Sequence, residues 1–122
     1  VCSSDLFELE LFQELVNYAI PILDNVISSR EGEVNRLISE SYFKMLDYEN
    51  AEIYFRNYLD LLEQYKIEDY FQMGQINVFL EDYEEAVFYL EKVKRSNVED
   101  SLFQFTSYYL GKSYLKMGKK MA

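Results

Sequence analysis

The chain has 122 residues and is 49% hydrophobic and 17% aromatic, which is enough apolar material for one ordinary domain with a core. Its 12 basic and 22 acidic residues leave a formal net charge of −10, which argues against a nucleic-acid partner, because that affinity rests on cations that displace phosphate counterions. Charged or polar residues interrupt every apolar run before it reaches the ~18 residues of a bilayer span, so membrane insertion is not expected.

In chain order, hydrophobic periodicity predicts about seven helices and no strand. Aromatic richness alone favours strands, but the aromatic and β-branched residues recur at three and four rather than alternating. Ser4 or Asp5 caps a first helix to about Glu14, with Leu6, Leu9 and Phe12 on one side. A second is expected from Asn17 to about Ser28, with Pro21 in its first turn, where the missing N–H removes no helical bond. The competing reading is one continuous helix kinked at Pro21; the break is preferred because Ala19, Leu23 and Val26 repeat a spacing found twice more. Gly32 closes that unit, and a third helix is predicted over about Glu33–Leu46. The fourth is predicted from about Glu49 to Gln64, the fifth from Ile67 to Leu80, the sixth from Tyr83 to Arg95 and the seventh from Ser101 to Met117. Glu81, Asp82, Glu84 and Glu85 open the sixth helix while Lys92, Lys94 and Arg95 close it, an arrangement the helix dipole favours and a better account of those carboxylates than a metal site. Lys119-Lys120-Met121-Ala122 reads as the opening of a further helix in a longer array.

The predicted helices repeat. Ile38, Ser39 and Tyr42 precede Tyr48, Ala51, Phe55 and Tyr58, and 35 residues later Met73, Gly74 and Asn77 precede Tyr83, Ala86, Leu90 and Val93. Leu110, Gly111 and Tyr114 begin the pattern a third time. A period of this size with two helices per copy marks a helical repeat array. One domain over 1–122 is expected, with units of about 5–31, 32–66, 67–100 and an incomplete 101–122.

These residues resemble the tetratricopeptide repeat family over about Glu33–Gly118, and weakly over Asp5–Ser28. Small residues stand where paired helices cross (Gly74, Gly111 and Ser39, then Ala51 and Ala86), and Asp47-Tyr48 and Asp82-Tyr83 match the family's turn. The proline that often ends the second helix is missing, and Asn77 replaces an aromatic. The resemblance implies an all-α, right-handed α-solenoid of antiparallel helix pairs that acts as a protein–protein interaction scaffold, with the first helix of each pair lining a groove for an extended peptide or partner helix. Helix phase then assigns Arg36, Glu40 and Phe43, Phe71, Gln75 and Val78, and Tyr108 and Lys112 to that groove. The family's clamp for a chaperone C-terminal carboxylate is not supported: Arg36 stands at one of its positions, but Glu40 replaces its asparagine and Phe71 and Gln72 offer no cation.

Catalysis is disfavoured. Histidine is absent, a single cysteine gives no thiolate cluster, and the four glycines form no phosphate-cradling loop, so no cofactor or metal is expected. Glu33 with Glu40 offers a formal acid–base pair, although carboxylates on helix faces are ordinarily just solvated. The expected partner is a protein or peptide. A homo-oligomer through the open C-terminal end is the alternative, with Phe103, Tyr109 and Leu110 seeking cover and the acid-free, lysine-bearing residues 101–122 meeting the acidic remainder. Cys2 follows Val1, a poor residue before a lipid-modified cysteine, and is expected to mark an arbitrary boundary rather than an anchor. Compartment stays open between cytoplasm and bacterial periplasm or envelope; abundant Tyr and Phe beside acids resemble long bacterial envelope repeat proteins.

Overall fold

The computed structural model describes residues 3–23 and 28–118. Cys2, Val26 and the Lys119–Ala122 stretch lie outside the described residues. Six helices and no strand are found among those described: α1 (Ser3–Ile22), α2 (Ser28–Lys44), α3 (Tyr48–Asp60), α4 (Ile67–Phe79), α5 (Tyr83–Lys94) and α6 (Asp100–Lys116). The all-α reading holds, and sequential helices pack as antiparallel pairs. The chain divides into two compact units, Val1–Glu63 and Gln64–Ala122.

Seven helices was one too many. The two expected before residue 28 are one, α1, which runs through Asn17 to Ile22 with Pro21 inside it. Asn17 does not cap a new helix, because its Oδ1 accepts from Gln13 Nε2 at 2.9 Å, one turn back on the same helix. Pro21 denies the Asn17 carbonyl its helical bond, but it falls in the final turn, so any kink it imposes leaves almost no helix beyond it to be displaced. Gly32 does not terminate anything either. It lies within α2, and a Cβ there would touch Tyr58 Cδ1 at 3.7 Å, an ordinary contact with α3.

In the first unit α1 packs on α2 and α2 on α3 around Val16, Ile38, Ala51, Phe55 and Leu59, all buried. Ser39, in the small-residue position, donates from Oγ to the Ala51 carbonyl at 2.6 Å and so ties α2 to α3 where they cross. Tyr42 and Tyr54 stack beside this contact at 5.7 Å between centroids. In the second unit α5 packs against both α4 and α6, which also touch each other. Its core is Val78, Ala86, Leu90 and Leu110, flanked by Phe71, Tyr83, Val87, Tyr109 and Tyr114.

The links α2–α3 and α4–α5 share one backbone solution. Leu46 and Glu81, 35 positions apart, take left-handed φ values of 65° and 64°. Asp47 N–H then bonds back to Tyr42 O, and Asp82 N–H to Asn77 O, each at 2.9 Å, closing the outgoing helix as a Schellman turn. The same two aspartates begin the next helix: Asp47 Oδ1 accepts from Asn50 N at 3.2 Å and Asp82 Oδ1 from Glu85 N at 3.4 Å. One residue thus stops one helix and starts another. Left-handed φ costs an L-residue about 1–2 kcal/mol, partly offset on replacement by glycine's greater freedom when unfolded. Leu46 is 70% exposed, so little burial is at stake, and Leu46→Gly is expected to raise unfolding stability in urea titration by about 0.5–1 kcal/mol.

Tyr114 OH donates to Glu91 Oε1 at 2.9 Å across α5 and α6. Burial, and then this bond to a carboxylate, push its phenol above the ordinary value; burial, with Tyr54 and Asp47 nearby, does the same to Tyr42. The fold favours the neutral phenol in both. Their contribution is complete below about pH 10, where unfolded tyrosine titrates, and is lost as pH rises through the raised folded value. Thermal melts are expected to show a midpoint that falls above about pH 10, and a shallower fall in Tyr114→Phe.

Candidate protein-binding face

Four of the residues assigned to a groove meet on the second unit. Phe71 and Gln75 project from α4 onto α6, where Tyr109 receives both: Gln75 Nε2 donates to Tyr109 OH at 3.0 Å, and the Phe71 and Tyr109 ring centroids lie 6.2 Å apart. Phe79 meets Tyr109 edge-on, also at 6.2 Å. Tyr108 stands against Tyr109 at 5.5 Å and borders a shallow depression of about 480 Å³ with Ser107, Gly111, Lys112 and Leu115. Tyr109 is the residue through which α4 and α6 are joined on this side.

The face is built by helix phase. On α6, Thr106, Leu110 and Ser113 turn inward and are buried, so the opposite stripe of Phe105, Tyr108, Lys112 and Leu115 turns outward. Phe105, Tyr108 and Leu115 are 58, 64 and 76% exposed. Sequence reasoning placed Tyr108 and Lys112 there but passed over Phe105 and Leu115, although their spacing of three and four along one helix carried the signal. Leu110, expected on an open apolar side of the last helix, is fully buried in the core. Val78 is 2% exposed within the same core and presents no surface to a partner.

Arg36, Glu40 and Phe43 lie on α2, in the first unit. Arg36 Nη1 is 3.4 Å from Glu40 Oε2 in a solvent-exposed pair, and Phe43 stacks edge-on against Tyr48 at 5.3 Å. Glu33 pairs with Arg30 at 3.6 Å, so Glu33 and Glu40 each face a different arginine. Such exposed pairs hold side chains in place weakly. Among the described residues no group of three or more His, Cys, Asp or Glu side chains is placed to hold a metal ion, and no helix is long and apolar enough to cross a membrane.

The family model described as Tetratricopeptide repeat matches residues 70–97, which span most of α4, the αL link at Glu81, and α5. That match covers 28 of the 122 residues, about one repeat unit. The searches of curated proteins and of solved structures returned no match.

Proposed function

We propose that the protein is a non-catalytic binding scaffold and that the α4/α6 face of its second unit holds a protein partner as an extended peptide or a helix. The repeat supports a protein–protein role in general terms. The observation that favours this face is the outward stripe of Phe105, Tyr108 and Leu115 around Lys112, beside Gln75 and Tyr109. Large aromatic side chains next to a cation and an amide suit a partner that buries apolar side chains and leaves backbone groups to be hydrogen-bonded. Arg36, Glu40 and Phe43 on α2 we assign a lesser part, because Phe43, the one large apolar side chain of the three, is half-buried against Tyr48.

The test is affinity capture from cell extract with the whole chain as bait beside Phe105→Ala/Tyr108→Ala. Both residues are exposed, so the variant is expected to keep the parent's circular dichroism and melting curve. Partners retained by the parent and at least tenfold depleted by the variant support the face. A partner retained equally by both moves the working surface elsewhere. Phe71 is a poorer choice for this purpose, since it packs on the core and its loss would confound binding with stability.

A further inference from the structure

A second apolar groove lies on the first unit, between α1 and α2. It encloses about 480 Å³ and is lined by Leu11, Leu15, Tyr18, Ile22 and Leu37, with Glu14 at its edge. Tyr18 is 75% exposed and the four leucine and isoleucine side chains between 39 and 48%, so a contiguous greasy strip faces solvent on this unit. Isolated exposed leucines need no explanation, but a strip of neighbouring ones marks a contact surface.

Charge and length narrow what covers it. Helix α1 carries Asp5, Glu8, Glu10 and Glu14 and no basic residue. Helix α6 carries Lys112 and Lys116 against the single acid Asp100 at its far end. From Leu11 to Ile22 the groove extends about 16 Å along α1, and from Phe105 to Leu115 the outward stripe extends about 15 Å along α6, at 1.5 Å per residue. The apolar groove with Glu14 in its lining and the apolar stripe with Lys112 are similar in length, and the two charged side chains are opposite in sign. Two copies of the groove facing each other would instead set glutamate against glutamate on a chain whose net charge is already −10.

We propose that the occupant of the α1/α2 groove is the α6 stripe of a second copy of this chain, with Tyr108 and Leu115 buried between Leu11, Leu15 and Leu37, and Lys112 set against Glu14. The inference rests on the reading of the α6 stripe as a binding surface and names its partner. The contact joins two different surfaces, so each copy brings one groove and one stripe to the association, to be satisfied by further copies or by reciprocal pairing. It is also salt-sensitive, since part of the attraction is between exposed charges.

Sedimentation velocity on the whole chain tests it, with a groove variant, Leu11→Lys/Leu15→Lys, and a stripe variant, Tyr108→Glu/Leu115→Glu. All four positions are exposed, so both variants are expected to fold, and circular dichroism verifies this. The parent should grow in mean mass with concentration at low salt and return toward 14.6 kDa at high salt, while each variant alone stays at 14.6 kDa. Mixed in equal amounts, the two variants retain one intact groove and one intact stripe between them, and should form a complex of twice that mass and nothing larger. Charge reversal adds a second readout: Lys112→Glu should weaken the parent's association, and Glu14→Lys in the same chain should recover it.

A parent that remains at 14.6 kDa at every concentration overturns the proposal, as does a mixture of variants that stays monomeric or a single variant that associates like the parent. These failures are distinct from failure of the binding face itself. If the chain is monomeric yet loses a captured partner on Phe105→Ala/Tyr108→Ala, the stripe is a binding surface for a different protein. If the chain associates but capture is indifferent to those changes, the capture result removes the reading of the stripe as a surface for other proteins and leaves only its use between copies.

Discussion

Leu90→Ala is expected to lower unfolding stability by about 2–5 kcal/mol and to convert Gly74→Ala from a damaging substitution into a helpful one. Leu90 is fully buried on α5 and fills the space above Gly74 on α4. A methyl group on Gly74 would lie 2.6 Å from both Cγ and Cδ2 of Leu90 and 3.5 Å from the Ala86 carbonyl oxygen. Leu90 Cγ is the branch point of a side chain held on all sides, so it cannot swing clear. In the parent, Gly74→Ala therefore costs about 1–3 kcal/mol of overpacking, against which better helix propensity returns at most about 1 kcal/mol. In the Leu90→Ala background the clash is gone and only the propensity gain of up to about 1 kcal/mol remains. A double-mutant cycle by urea titration measures this directly. Additive effects would mean that α4 and α5 do not meet at this pair.

Phe55→Ala is expected to cost about 3–5 kcal/mol, and Phe55→Leu only about 1–2 kcal/mol. Phe55 occupies in α3 the place that Leu90 occupies in α5, 35 residues on, and it is 3% exposed among Ala51 and Leu59 with the Tyr58 ring 5.3 Å away. Alanine leaves a cavity that the flanking aromatic rings fill only in part. Leucine is what the other copy carries, and a branched side chain of intermediate volume keeps most of the contact. Chemical denaturation followed at 222 nm distinguishes the outcomes. Equal losses for both substitutions would show that the ring itself, and not filled volume, holds α2 and α3 together.

The parts of the fold that were legible from sequence are those where a small side chain is forced by close approach or a polar one by a turn. Ser39, Gly74, Ala51 and Ala86 stand at helix crossings, and Asp47 and Asp82 cap helices, because few other residues satisfy those backbone positions. The count of helices before residue 28 was not legible. Asn17 and Pro21 are start signals in most contexts, and only the Gln13 contact reveals that the helix continues through them. Helix phase puts Phe71, Gln75, Tyr108 and Lys112 on one side of the second unit, where they lie near one another, but it treats a helix as a uniform cylinder. Val78 lies one residue before the end of α4 and is 2% exposed, whereas Phe71 and Gln75, at neighbouring phase one and two turns earlier, are only partly buried. Sequence alone leaves Tyr109 at an uncovered end, because its partners Phe71, Gln75 and Phe79 sit 30 or more positions upstream and no local pattern reports them.

The matched Schellman links at Leu46-Asp47 and Glu81-Asp82 make residues 47–81 a segment whose two seams have the same dihedral signature and the same capping aspartate. Gly118 enters the left-handed region again, at φ 72°, with its N–H on Leu115 O at 3.1 Å, the same bond that Leu46 and Glu81 make. A spliced duplicate of 47–81 would therefore meet a compatible backbone at each junction without new turn chemistry. Lengthening by in-frame duplication is a growth route this chain has open to it at the level of the main chain, and the joints are what would let duplicates be inherited intact.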